Sequence, residues 1–575
     1  MGPYLSGKTT LLESLMFATG AISRKGSAKE GNTVGDSAPE ARARKMSVEV
    51  NAATTEYLGE KWTFLDCPGS IELTQEVQNA LVVADVAVIV CEPEVSRALT
   101  LAPLFKFLDD RQIPHMLFIN KMDTAAHRVR DVLAALQSVS SRKLVLRQVP
   151  IRKVEKSGAE TVSGFVDLVS ERAYNAPGND SDLIQIPAEV VEREQTARRE
   201  LLEVLADFDD HLLEQLLEDA APPKEEIYQQ IAKDLAGDLI VPVLLGAAER
   251  DHGVHRLLKA LRHDGPGPAT TAARIGLTPA PGDTVALVCK TYHQAHTGKI
   301  SLARVWGAPL QDGGTLDGHR YSAIYRMKGH ELGKQSTAAS GEVVGLGRMD
   351  TVATGQLLAA SGKPSGKVEW PVKLAPLFSL AINVENRADE VKLTAALNKL
   401  GEEDPSLSIE HNQDTHELVI WGQGEIHLQV AIDRLRLKYG LAVKSHRPTI
   451  NYKETIRRGV KQHGRHKKQS GGHGQFGDVH VEIKPLPRGS GFEFVDNVVG
   501  GAVPRQYISS VEEGAREYLH RGPLGFPVVD VSVTLYDGQY HSVDSSDMAF
   551  KTAARIAMSE GMPKCEPVLL EPICS

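Results

Sequence analysis

Residues 2–9, Gly2-Pro3-Tyr4-Leu5-Ser6-Gly7-Lys8-Thr9, fit the spacing G-x-x-x-x-G-K-[ST], and this octapeptide restricts the fold more than any other feature of the chain. The pattern serves as a tight turn that a strand feeds and a helix follows, so the first domain is expected to be α/β. Its glycines Gly2 and Gly7, with Ser6 and Thr10 beside them, leave backbone N–H groups free to approach phosphate oxygens. Lys8 reaches toward the outer phosphates, and the Thr9 hydroxyl suits Mg²⁺.

Two further motifs follow in an order that fits the same chemistry. Asp66-Cys67-Pro68-Gly69 comes directly after the apolar run Trp62 to Leu65, so a strand delivers the Asp66 carboxylate to its end, where it can hold Mg²⁺ through water. Gly69 supplies an N–H and a joint where the backbone can respond to a γ-phosphate. Asn120-Lys121-Met122-Asp123 follows Met116 to Ile119. A carboxylate such as Asp123 accepts two hydrogen bonds from adjacent guanine donors that adenine lacks, and the Lys121 stem can lie along the base. A third strand, Ile240 to Leu245, ends in Gly246-Ala247-Ala248, whose N–H groups suit the guanine O6. Any one of these is a polar turn after a buried strand; together, in this order, they point to GTP with Mg²⁺.

At 575 residues the chain has room for about four domains. With 42% hydrophobic and 24% charged residues it has an ordinary globular composition. No apolar run reaches about eighteen residues and no basic-then-apolar leader stands at Met1, so a cytoplasmic protein without membrane contact is expected; the further expectation is a monomer. Cys67, Cys91, Cys289, Cys565 and Cys574 are odd in number and lack C-x-x-C spacing, which favours free thiols over a disulfide framework or a zinc ribbon. The net charge of −9 argues against coating nucleic acid with the whole surface. Locally, Arg457, Arg458, Lys461, Arg465, Lys467 and Lys468 contain no acid between them and run into the glycine-rich Ser470 to Gly477, a basic loop suited to a phosphate backbone. His463, His466 and His473 share this segment, but no neighbouring cysteine or carboxylate completes a metal site.

Strand and helix patterns divide the chain into four. Residues 1–270 alternate apolar runs and helices as a doubly wound parallel sheet would, with a charged, helix-forming insertion at about 151–237 and a Gly265-Pro266-Gly267-Pro268 linker. Residues 278–365 hold short β runs at Thr284 to Cys289, Ile300 to Val305, Tyr321 to Met327 and Glu342 to Leu346, the spacing of a small β-barrel. Residues 372–445 read β-α-β-β-α-β, with Leu393, Leu397 and Leu400 and then Leu428, Ile432 and Leu435 striping the helices, and a hairpin around Asp414, a ferredoxin-like plan. Residues 446–573 alternate at Val479, Val481 and Ile483 and at Val529 to Leu535, with helices after Pro504 and after Ser545-Ser546. The fold class is thus multidomain: α/β, then β-barrel, then α+β.

This order, together with Gly401-Glu402-Glu403-Asp404-Pro405, Gly422-Gln423-Gly424-Glu425-Ile426-His427-Leu428, Gln469 to Gly477, Val498-Val499-Gly500-Gly501 and Val543 to Lys551, resembles bacterial elongation factor G and its elongation factor G-like relatives over nearly the whole chain. The resemblance implies a GTPase whose partners are the ribosome, its RNA and proteins, and GTP or GDP, working in translocation or recycling. It implies that Lys467, Lys468, His473, Gln475 and His541, on loops matching Ser470 to Gly477 and Gly538 to Ser542, contact ribosomal RNA. Shape and 2′-hydroxyls would be read there rather than sequence.

The departures cluster at the γ-phosphate. The family histidine after Asp-x-x-Gly is here Ser70, which cannot titrate as imidazole does. The catalytic assignments therefore fall to Lys8, Gly69 and, at the histidine position, Ser70. The family aspartate of the phosphate loop is Leu5, and the first switch reads Arg44-Lys45-Met46-Ser47, with Ser47 in place of the Mg²⁺-binding threonine. GTP binding with slow hydrolysis is the resulting expectation. The chain also reads as truncated at both ends relative to the family pattern, without the strand that feeds the phosphate loop and without the final domain. A ribosome-protection protein that needs little hydrolysis, or an inactive fragment, are the alternative readings.

Overall fold

The computed structural model describes the chain apart from residues 126, 155–159, 176–182, 365, 413–414, 471–472 and 572–575, and apart from the side chains of residues 154, 160, 469, 470 and 473. Two compact units emerge, Met1–His411 with Leu418–Arg447, and Asn412–Glu417 with Pro448–Ser575. The tip of the hairpin around Asp414, the His473 side chain and Cys574 lie outside the described residues.

In the first unit, Ala87–Cys91, His115–Ile119, Ile240–Leu245 and Lys143–Leu146 form a parallel sheet in that order. Every residue of His115–Ile119 and Ile240–Leu245 is buried, as strands covered on both faces require. One face packs Leu11 and Leu15 of the Lys8–Ala18 helix with Leu257, Leu258 and Leu261 of the Val254–Asp264 helix. The other carries Phe105, Leu108, Val132 and Leu136.

The strand that delivers Asp66 is not a member of this sheet. Glu60–Asp66 pairs antiparallel with Asn51–Tyr57, and that hairpin joins the barrel sheet through Ala53 opposite Lys328. Its first residues, Glu60 and Lys61, are exposed and the middle only half-buried, which fits a hairpin better than a covered parallel strand. The edge of Ala87–Cys91 is bonded by Met1, whose carbonyl accepts from Val90 N–H at 2.8 Å.

The insertion is also more than helical. It opens with an antiparallel sheet of Gln148–Val154, Glu160–Asp167, Arg172–Asn175 and Leu183–Ile184 before the helices Ala188–Ala206, Asp210–Leu217 and Lys224–Ala236. Buried Val149, Ile151, Phe165 and Val166 supply its core, a short-period signal hidden by the surrounding charge.

Barrel strands Thr284–Gln294, Gly298–Gly307, Ile324–Lys328 and Val343–Gly347 contain or overlap the β runs read from sequence. They enclose Val288, Ala303, Val305, Ile324 and Leu346. Beyond them, Ser408–His411, Leu418–Gly422, Phe378–Val384 and Val443–His446 form an antiparallel sheet in that order. This is the strand order of a split βαβ unit. Leu393, Leu397, Leu400, Leu428 and Leu435 of its two helices are buried together.

In the second unit, Val460–Ser470, His473–Pro485, Val531–Gln539 and Phe492–Asp496 form one sheet. Helices Arg505–Leu519 and Asp547–Gly561 complete the core with Val479, Val481, Ile483, Val533 and Phe550. Ser546 caps the second helix, accepting from Ala549 N–H at 3.2 Å. The basic segment read as a loop is instead the first arm of a hairpin, in register from Val460 opposite Ile483 to Ser470 opposite His473. It has little apolar alternation of its own; the alternating partner strand and two glycines impose the structure. A Cβ at Gly464 would lie 2.3 Å from Ala553 O, and one at Gly477 2.5 Å from Ala549 O, so both glycines let the Asp547–Gly561 helix sit directly on the sheet.

Candidate functional site

The octapeptide loop turns through three residues of positive φ, Gly2 at 139°, Leu5 at 65° and Gly7 at 92°. A side chain at Gly7 would strike the Asn120 amide at 2.3 Å and one at Gly2 the Val90 carbonyl at 2.1 Å, so the loop presses against the strand ends as only glycine permits. Gly7 caps the Lys8–Ala18 helix. The first-turn N–H groups, those of Lys8, Thr9 and Thr10 among them, have no intrahelical acceptor in any helix, which makes an anion cradle. Lys8 lies almost wholly buried, its Nζ donating to Pro3 O at 2.9 Å. Burial pushes its pKa down, partly offset by the Asp66 charge.

The oxygen ligands assigned from sequence meet here. Thr9 Oγ1 donates to Asp66 Oδ2 at 2.8 Å and lies 3.1 Å from Ser47 Oγ. Burial drives the Asp66 carboxyl upward, opposed by the Thr9 hydrogen bond and the Lys8 charge. Asp36, not singled out in the sequence, joins this group. Burial raises its pKa to about 6, against the hydrogen bond from Ser47, and its Oδ1 has no hydrogen-bond partner among the described residues. Glu13 fixes the segment leading to it, accepting from Gly26 N–H at 2.8 Å and Val34 N–H at 2.6 Å. Gly69 abuts the lysine, since a Cβ there would lie 2.3 Å from Lys8 Nζ. Ser70 follows it half-buried, in extended conformation.

At the other end Asn120 is a bridge. Its Nδ2 donates to Ser6 O at 2.9 Å and its Oδ1 accepts from Ala248 N–H at 2.9 Å. With both groups engaged inside the protein, Asn120 positions two loops. Lys121, itself at φ 57°, donates to Leu5 O at 2.7 Å and pairs with Glu92 at 2.5 Å. Asp123 pairs with Arg250 at 3.0 Å. The amides of Gly246, Ala247 and Ala248 donate to Ile119 O, His252 O and Asn120 Oδ1. The backbone here passes close to the Phe118 ring, which a Cβ at Gly246 would meet at 2.3 Å.

Both segments flanking Lys8 are tied to one helix of the ferredoxin-like domain, Glu425–Leu437. Glu72, two residues after Ser70, accepts from His427 N–H at 2.8 Å at the helix N-terminus, and Gly424 leaves space for its carboxylate. Near the other end, buried Arg434 donates to Glu40 at 2.7 Å and Glu49 at 3.0 Å, while Arg44 pairs with Asp433 at 2.6 Å. Burial alone would push the Glu49 carboxyl up, but the Arg434 guanidinium holds it well below the usual carboxylate range. No periodicity or spacing announces these contacts, because their partners lie almost four hundred residues apart in sequence.

His427 also anchors this helix inward. Its Nδ1 accepts from Gln423 N–H at 3.0 Å, so Nε2 carries the proton and donates to Asp404 at 2.8 Å. Burial raises the Asp404 carboxyl, but the His427 hydrogen bond and the Lys290 charge outweigh it and hold it well below its ordinary value. A carboxylate depressed on folding stabilises above its unfolded pKa of about 3.9 and loses that contribution as pH falls through the folded value. Asp404→Asn should therefore lower the thermal midpoint at pH 7, with a deficit that narrows below about pH 4. A deficit independent of pH would refute this account of the pair.

In the second unit, exposed Lys467 and Lys468 stand near the hairpin end and Gln475 bonds His466 at 3.0 Å. The His541 loop meets the same end. Phe476 N–H donates to Asp544 O at 2.7 Å, His541 Nδ1 lies 3.1 Å from Asp544, and the Phe476 and His541 rings are 6.4 Å apart. Four of the five assigned RNA-contact residues thus gather at one end of this unit; the fifth, His473, has its side chain outside the described residues.

Residues 1–266 match the family model of the elongation factor Tu GTP binding domain, residues 375–447 that of elongation factor G domain III, and residues 448–566 that of elongation factor G domain IV. An elongation factor G-like protein of Synechocystis is 55% identical over 578 residues, covering 100% of this chain and 85% of that protein. Elongation factor G of Thermotoga maritima is 33% identical over 594 residues, covering 99% and 84%. The chain belongs to the elongation factor G family. A crystal structure from Thermus thermophilus agrees in fold, with a TM-score of 0.82 at 32% identity over 99% of this chain and 84% of that one. The protein is accordingly a translational GTPase of the elongation factor G type, and among its described residues no helix is long and apolar enough to cross a membrane.

Proposed function

We propose that this elongation factor G relative binds GTP with Mg²⁺ at the Gly2–Thr9 loop and acts on the ribosome as a nucleotide-dependent switch with slow hydrolysis. The observation that carries the reading is the meeting of Thr9, Ser47 and Asp66 oxygens within 3.1 Å of Thr9 Oγ1, beside buried Lys8. An all-oxygen donor set of two hydroxyls and a carboxylate fits Mg²⁺, and the unpartnered Asp36 Oδ1 adds a second anionic oxygen for water around the ion. The ion would supply charge neutralisation between the outer phosphates. Lys8 and the helix amides bind those phosphates; Gly69 allows the backbone to close on them. Asp123 receives guanine after Arg250 yields, while Asn120 and Lys121 hold the surrounding loops. Ser70 can neither take a proton as imidazole does nor reach as far, which supports slow turnover.

The second unit supplies the RNA contacts through Lys467, Lys468, Gln475 and His541. Ribosome binding measured by co-sedimentation across a salt series tests this part. Lys467→Gln with Lys468→Gln should flatten the slope of log affinity against log salt by about 0.7–0.9 for each phosphate no longer neutralised. An unchanged slope would remove these lysines from the interface.

A further inference from the structure

The exposed face of the second unit's sheet carries a cluster that the nucleotide chemistry leaves unused. His463 and His480 stand directly opposite each other on neighbouring strands, and Arg465 stands opposite Asp478. With side chains alternating by two along a strand, all four lie on one face. The imidazole rings stack with centroids 4.2 Å apart and planes 10° apart. Both Nε2 atoms converge on one carboxylate, His463 Nε2 at 2.9 Å from Asp478 Oδ2 and His480 Nε2 at 3.8 Å from Asp478 Oδ1. The ligand atoms of the three residues all lie within 4.8 Å of one another.

The second observation is Asp478 itself. Its side chain is only 3% exposed, yet Oδ1 has no hydrogen-bond partner among the described residues. A buried carboxylate oxygen left without a partner is costly, and this one faces the His480 nitrogen across a gap too long for a hydrogen bond. Ligand bonds of about 2.1 Å arranged tetrahedrally set ligand atoms about 3.4 Å apart; with the three ligand atoms already within 4.8 Å of one another, side-chain rotations that open the stacked rings bring both imidazole lone pairs onto one point beside the carboxylate.

We propose that His463, His480 and Asp478 form a binding site for a divalent transition-metal ion of the zinc class, with a fourth position open to solvent. Two imidazole nitrogens and one carboxylate oxygen suit zinc and its neighbours over Mg²⁺, which takes oxygen. The site is therefore chemically distinct from the hydroxyl and carboxylate set around Thr9. Arg465, 3.5 Å from Asp478 Oδ2 and half-exposed, is the cation that must swing aside; the neighbouring Lys461 is turned over the Tyr536 ring at 5.1 Å. A bound dication would staple the two hairpin strands and leave an open position that an oxyanion can fill.

The test titrates Zn²⁺ alone into the full-length, chelator-treated protein by calorimetry, in excess Mg²⁺. The wild type should bind one equivalent more than His463→Gln with His480→Gln, and Asp478→Asn should weaken that equivalent at least tenfold, with thermal midpoints of the metal-free proteins compared alongside. Zn²⁺ should also shield His463 and His480 of the wild type from diethyl pyrocarbonate, read by mass spectrometry, a measurement that needs no variant. Equal stoichiometry and affinity in wild type and variant, or histidine modification unchanged by Zn²⁺, would overturn the site.

Discussion

Ser70→His should raise ribosome-stimulated GTP turnover by about 10²–10⁴-fold, the range that a positioned general acid or base supplies. Ser70 follows Gly69, which abuts Lys8 Nζ, and precedes the exposed Ile71. Ser70 is only half-buried, so the substitution removes no core side chain, and the expectation is that the imidazole turns toward the phosphates. The gain should appear in the rate at saturating GTP, since the loop, the guanine end and the oxygen ligands are untouched. A wild-type rate matching that of elongation factor G, with no gain in the variant, would mean that another group performs this role.

Arg434→Met should destabilise the first unit by about 3–5 kcal/mol, because it strands two buried carboxylates, Glu40 and Glu49, that the guanidinium now neutralises. The triple variant Arg434→Met, Glu40→Gln, Glu49→Gln should recover most of that loss, since the penalty belongs to the unpaired charges rather than to the absent pair. Thermal midpoints of the two variants separate the cases. Equal damage in both would show that packing, not charge burial, holds the segment. Because Glu40 and Glu49 flank Ser47, the single variant should also weaken Mg²⁺-dependent GTP binding, linking the ferredoxin-like helix to the nucleotide site.

Much of this is legible from the chain. The loop, Asp66, Asp123 and the leucine stripes at 393–400 and 428–435 are local patterns that a strand end or helix face imposes on its own residues, and the barrel and ferredoxin-like strands fall where β alternation places them. What escapes depends on partners distant in sequence. The Asp66 strand prefers a hairpin because Asn51–Tyr57 offers it seven registered neighbours. Lys461 to Lys468 are strand because Gly464 and Gly477 admit a helix against a sheet whose alternation lies in the other arm. The bridge that the buried Asn120 amide makes between Ser6 and Ala248 is not visible in the motif, because its partners lie more than a hundred residues away on either side. The Arg434 clamp and the His463, His480 and Asp478 cluster arise only when separate segments close on one another.

A guanine-nucleotide switch that works on the ribosome with a slow chemical step makes a direct demand on nucleotide dependence. Ribosome co-sedimentation with GTP, GDP and a non-hydrolysable GTP analogue, coupled to phosphate release, tests it most directly. Retention on ribosomes with GTP and the analogue alike, release with GDP, and phosphate formed far more slowly than by elongation factor G is the predicted result. Retention that ignores the nucleotide would contradict it.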